Sequence, residues 1–258
     1  MSEGFDYGGE VAETVSKFKA ATVGTRNARL HGLLRLGTFQ ETFKGEVKAA
    51  APQGIAIFLL RGKTDLLDDD GEMFFSQPFP FKKGDKSFLH SKFIPAFGGM
   101  AKHSGFGSMI NGLFSLKLKG GKETNDDGTP KFINFDSMSE IGEDMLEMAD
   151  SMPAFAGSET PIGFLTESEL TKEALEMLHP TREFAGILMK TQEFQAGTHP
   201  CQALIQEIYE ADKDRYTIKA KDKKDDEANK SADEQSGSNE AKTLPAEAEK
   251  LDNVEQEF

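Results

Sequence analysis

Gly37-Thr-Phe-Gln-Glu-Thr-Phe-Lys-Gly-Glu-Val-Lys-Ala-Ala-Ala-Pro-Gln-Gly-Ile-Ala-Ile-Phe-Leu-Leu60 is the stretch on which the reading of the fold depends. Residues 37–45 are strand-like and closed at both ends by Gly, and residues 54–60 form an apolar run that starts after Pro52 and Gly54. Segments punctuated in this way read as strands. Residues 29–36, immediately before, give a third.

On the C-terminal side, 65–71 ends in Asp70-Gly71, which accepts the positive φ of a tight turn, so a hairpin to a strand at 73–76 is expected. A calcium loop is excluded there, because placing Gly71 at the sixth position puts Leu66 at the first. Residues 77–93 mix Pro, Phe and Lys and predict an edge strand, a loop and a short helical turn from Ser87. The glycine-rich loop 98–107 fits neither phosphate-cradling pattern. Residues 111–119 then alternate, with Leu116 and Leu118 on one face and Lys117 and Lys119 on the other, and a turn at 125–128 leads to a returning strand at 131–135.

Further along, 136–165 reads as a loosely packed excursion. Thr166 and Glu169 form a capping box that opens a helix through Leu170, Leu175 and Leu178 and ends before Pro180. Residues 184–190, 203–209 and 216–219 read as further strands, the last after a turn at 211–214. Residues 1–21 form a polar N-terminal arm in which Val11, Val15 and Phe18 allow a turn or two of helix. From Lys221 almost nothing apolar appears before Leu244, so 221–258 is expected to be a disordered acidic tail. Leu251, Val254 and Phe258 return among acids at its end, a composition suited to a short docking peptide. The organisation is therefore an arm 1–21, a folded region 22–220 and a tail 221–258.

The net charge of −14 is unevenly spread. Residues 22–135 carry 16 Lys+Arg against 11 Asp+Glu, whereas 136–258 carry 12 against 29. A basic domain with its own polyanion attached points to nucleic acid as the partner. The chain has 21 Phe, 3 Tyr and no Trp; most of these rings are expected in the core, and exposed ones offer faces for bases.

The single Cys201 excludes an intrachain disulfide or a multi-cysteine zinc site and favours a reducing compartment. No run approaches the roughly 18 apolar residues of a membrane span, and the N-terminus lacks a signal pattern, so a soluble protein with no membrane partner is expected. His31, His90, His103, His179 and His199 are scattered without metal-ligand spacing. His103-Ser104 lacks the surrounding elbow of a nucleophile, so no enzyme, no metal and no cofactor are expected.

The candidate nucleic-acid-binding residues are Arg35, Lys44, Lys48, Arg61, Lys63, Lys82, Lys83, Lys92, Lys102, Lys117 and Lys119, interleaved with Phe39, Phe43 and Phe88. Cations beside rings are what a stacking platform in a positive groove needs. A solvated strand face gives the same pattern.

Residues 37–60, with their leading strand, Phe-Lys-Gly hairpin, Lys/Ala/Pro-rich loop and apolar strand, resemble bacteriophage single-stranded-DNA-binding proteins. Residues 70–81, 87–97 and 113–135 follow in the same order, so the resemblance covers about 22–140. It implies an OB-like β-barrel, and together with the capped helix and the acidic tail read above the expectation is a mainly β protein: an OB-like β-barrel with additional strands, a short α-helix and a disordered acidic tail. It also implies non-sequence-specific binding of single-stranded DNA in replication, recombination or repair, in the cytoplasm of an infected bacterial host. Glu255, Glu257 and Phe258 match the type of tail that recruits phage or host replication proteins. Two departures stand out: Asn253, Val254 and Gln256 dilute the tail's acids, and 141–220 extend beyond a minimal barrel. The alternative is a phage structural or assembly β-protein with no DNA-binding role.

Overall fold

The computed structural model of the protein describes residues 19–43, 45–60, 73–144 and 161–217. The chain divides into two units, Met1–Ile218 and Lys219–Phe258, and every described residue belongs to the first. Most of the N-terminal arm, Lys44, the turn at 65–71 with Arg61 and Lys63, and the tail with Glu255, Glu257 and Phe258 lie outside the described residues.

The protein is mainly β, with several short helices. Its strands are β1 (Lys19–Ala20), β2 (Gly24–Phe39), β3 (Thr42–Phe43), β4 (Glu46–Val47), β5 (Ala51–Leu60), β6 (Met73–Pro80), β7 (Leu113–Gly120), β8 (Ile133–Ser139) and β9 (Gly163–Leu165). The main sheet runs β1-β6-β5-β2-β7-β8, with β9 added to β2. From β6 to β8 every neighbouring pair is antiparallel, while β1 and β9 join in parallel. Among the described residues nothing pairs β8 with β6, and no closure into a barrel is found.

The two strands expected at 29–36 and 37–45 are one long strand followed by a small hairpin. Gly37 does not end β2; it takes φ +111° at a register shift between Arg35 and Gly37, where an added Cβ would lie 2.8 Å from Glu193 Oε2. A bulge needs a residue that tolerates this conformation, and the strand continues through it. β3 and β4 form the Phe-Lys-Gly hairpin, pairing Phe43 with Glu46.

β2 borders β5 along residues 28–39, and its other edge is shared between β7 (24–29) and β9 (32–34). Its register shifts divide its side chains between two cores. Ala28, Leu30 and Leu33 face one, with Ala56 and Phe58 of β5, Phe75 and Phe79 of β6, and Leu116 and Leu118 of β7. Leu34 and Leu36 face the other, with Ile55 and Ile57. The apolar run of β5 is thus explained by burial on both sides, which is unusual for an antiparallel strand.

Between β6 and β7 a π-helical turn (Leu89–Phe93) runs into α1 (Ile94–Ala96), and Leu89, Phe93, Ala96 and Phe97 cover the first core. The second core lies beneath a layer drawn from residues 162–216. None of the segments read as strands at 184–190, 203–209 and 216–219 forms a strand among the described residues; they are helical turns and helices up to Tyr216, with Thr217 extended beyond. They comprise a π-helical turn (Pro180–Ala185), a 3-10 turn (Leu188–Lys190) and, after α2 (Lys172–Glu176) and α3 (Gln192–Gln195), the helices α4 (Gln202–Ala211) and α5 (Lys213–Tyr216). Leu175, Phe184, Leu188, Ile205, Ile208 and Tyr216 from this layer bury Ile55 and Ile57. Short apolar runs have no periodicity that separates strand from helix, and a face that must cover a sheet needs only Ile205 and Ile208 at i, i+3.

Residues 136–139 and 163–165, read as part of a loose excursion, belong to β8 and β9. The capping box also acts one turn early. Glu169 accepts from the Thr166 N–H (3.0 Å) and hydroxyl (2.6 Å), but α2 starts at Lys172, capped by Thr171, whose hydroxyl accepts from Ala174 N–H.

Candidate nucleic-acid interface

The register places the end of β2, the start of β5 and the end of β6 side by side. Phe39 stands opposite Ala51, Gln53 opposite Pro80, and the Phe81 N–H donates to Pro52 O at 2.8 Å. This end of the sheet collects Arg35, Phe39, Lys48, Lys82 and Lys83. Lys82 and Lys83 are exposed and make no ion pair among the described residues. Lys48 is exposed and sits 3.4 Å from Glu46, two residues earlier in the same arm of the small hairpin. Phe39 is half-buried.

Phe81, absent from the candidate set, belongs here. It is half-buried, 5.1 Å from Phe79 and 5.8 Å from Phe106, with the Arg35 guanidinium 6.0 Å from its centroid. The ring lies over Gly54, where an added Cβ would fall 2.9 Å from Phe81 Cδ2. The signal was Gly54 itself, because a glycine inside a strand marks a close approach by another group.

Lys117 and Lys119 lie elsewhere, on β7, and Lys102 ends a 3-10 turn (Met100–Lys102). Lys117 is exposed and Lys119 half-buried, on the face opposite Leu116 and Leu118, as the alternation predicts. Both reach Asp136, at 3.0 and 3.5 Å. Asp136 sits at a register shift: Leu118 pairs with Phe135 and Lys117 with Ser137, leaving Asp136 as the extra residue between the two lysines. The hydrogen bond from Lys117 Nζ holds its carboxyl below the ordinary aspartate value. Lys102 Nζ donates to Glu140 at 2.7 Å, just beyond the end of β8. In the β7–β8 connection, Lys131 Nζ lies 5.1 Å from the Phe132 centroid, a further cation beside a ring that the candidate set omitted.

Lys92 stands exposed on the π-helical turn whose Leu89 and Phe93 are buried. Phe88, expected to stack on bases, is half-buried and occupied: its ring is 5.0 Å from Phe79, 6.3 Å from Phe93 and 5.2 Å from Phe135. For Phe43 only the backbone is described.

The groups singled out for chemistry have structural partners. His103 Nε2 lies 2.8 Å from Phe97 O. Cys201 Sγ lies 3.6 Å from Leu170 O, and burial pushes its thiol up, away from the reactive thiolate. Among the described residues no cluster of three His, Cys, Asp or Glu is placed to hold a metal ion, and no helix is long and apolar enough to cross a membrane. Comparison of the chain with family models, curated proteins and solved structures finds no match.

Proposed function

We propose that this protein binds single-stranded DNA without sequence specificity, through an OB-like domain, in phage DNA replication, recombination or repair. The observation that carries this is the convergence of Arg35, Phe39, Phe81, Lys48, Lys82 and Lys83 at one end of β2, β5 and β6. Cations there neutralise phosphates and half-buried rings take the faces of unpaired bases, a combination that favours single strands over duplex. The connectivity supports the OB-like reading. β2, β5 and β6 form a meander, a helical stretch follows, and β7 and β8 return beside β2. This is the order of a five-stranded Greek-key barrel left open between its third and fifth strands, and in such barrels strands 2 and 3 and the adjoining loops hold oligonucleotides.

The test is titration of oligo-dT and of a duplex of equal length at two salt concentrations. Tighter binding to the single strand is expected, with log K falling by about 0.7 per log unit of salt for each phosphate neutralised. Equal affinity at both salts, or for duplex, would overturn the reading. Large assemblies in light scattering without DNA, and no shift on adding single strands, would favour the structural-protein alternative.

The tail 221–258 serves in this reading as a competitor for the groove and, through Glu255, Glu257 and Phe258, as the site that recruits replication partners in the host cytoplasm. Deleting 221–258 is expected to tighten binding to oligo-dT and to abolish capture of the replication partner. Unchanged affinity after the deletion would exclude the competitor role and leave DNA binding standing.

A further inference from the structure

Eight candidate cations fall within the described residues, and the fold treats them in two ways. Lys82, Lys83 and Lys92 make no ion pair among the described residues. Arg35, Lys102, Lys117 and Lys119 are each held by a carboxylate, and all three carboxylates come from 136–167: Glu167 on Arg35 (3.0 Å), Glu140 on Lys102 (2.7 Å) and Asp136 on Lys117 and Lys119. Lys48 is the exception, with Glu46 beside it. The acidic stretch after the basic one thus returns its side chains onto the basic ones.

Asp136 shows this most clearly. A regular ladder residue would oppose one partner; the bulge between Lys117 and Leu118 sets this carboxylate between two lysines. We infer that Asp136, Glu140 and Glu167 act as built-in phosphate surrogates, holding these four cations until a DNA strand displaces them and so setting the affinity and salt dependence of binding. This rests on the reading of the protein as a single-strand binder. It places a competitor inside the folded domain, separate from the tail.

The energetics allow the exchange. The side chains in these pairs are between 22 % and 61 % exposed, and exposed ion pairs are weak and screened, so a strand offering several phosphates at once outcompetes them. A cation already neutralised by a carboxylate adds less to counterion release than a free one. Because Asp136 titrates below the ordinary 3.8, its hold on the lysines is complete above that pH and lost only as pH falls through the depressed value. Its titration therefore adds no pH dependence to the affinity between about pH 5 and 8.

The experiment measures oligo-dT affinity of the full chain at several salt concentrations for wild type, Asp136→Asn, the triple Asp136→Asn/Glu140→Gln/Glu167→Gln, and Glu207→Gln, which removes an exposed charge on α4. Thermal melts confirm folding. Asp136→Asn is expected to tighten binding several-fold at low salt and to steepen the log–log slope by up to about 0.7 for each lysine released, the triple by more. The gain should vanish when Lys117 and Lys119 are also changed to Gln. If wild type binds but Asp136→Asn changes neither affinity nor slope, or gains no more than Glu207→Gln, the surrogate role is overturned while the function stands. If neither wild type nor variants bind, the functional reading fails and takes this inference with it.

Discussion

Glu183 is fully buried, yet each of its oxygens is bonded. Ser76 Oγ donates to it at 2.7 Å, Arg182 Nη2 at 2.6 Å and the His179 N–H at 3.0 Å, so a π-helical turn of the covering layer is fastened to β6. Removing the carboxylate leaves these donors unsatisfied beside a sheet. Glu183→Ala is expected to cost about 2–3 kcal/mol in denaturant unfolding, and Glu183→Gln clearly less. A loss below 0.5 kcal/mol for the alanine variant would show that water replaces the network. None of this was legible in the sequence, because Glu183 sits in an ordinary polar segment and its partner Ser76 is far away in the chain. The lysines on β7 were legible, since alternation with Leu116 and Leu118 fixes their face, whereas Asp136 was not, because a bulge leaves no mark in a pattern of period two.

At the level of elements, the gap between β6 and β8 is spanned by rings. Phe79 of β6 touches Phe88, and Phe88 touches Phe135 of β8 edge-on. On the β6 side, Pro78 and Pro80 withdraw two donors from the strand edge, which discourages pairing with another chain. Phe88→Ala is therefore expected to destabilise the protein by about 2 kcal/mol, lowering Tm. If instead Tm is unchanged and oligo-dT affinity falls, Phe88 is a stacking residue after all. The β5–β6 and β7–β8 hairpins were readable from strand punctuation and alternation, whereas Gly37 reads as a strand end and β2 runs through it. The helical layer was not: residues 203–209 carry Ile205, Ile208 and Tyr209, which favour strands locally, and only the sheet face they cover makes them a helix.

For the whole molecule, the layer from 161 to 217 gives the domain an acidic side. It carries ten Asp and Glu against five Lys and Arg, and it covers the face of β2 and β5 that bears Leu36 and Ile57. That face is closed to nucleic acid both by packing and by charge. His199 helps hold it shut, its Nε2 3.1 Å from Leu36 O and its Nδ1 accepting from the Cys201 N–H at 3.1 Å. The charge asymmetry of the sequence thus has a spatial counterpart within the folded domain. β2 ties the two cores together, and this has a consequence for biosynthesis. It is made before the other long strands of this sheet, but one stretch of its edge is completed only by Gly163–Leu165. A chain emerging from the ribosome must therefore carry an unfinished strand edge through the synthesis of most of the domain. Such late, long-range completion slows folding and prolongs the interval in which the nascent protein is prone to aggregate.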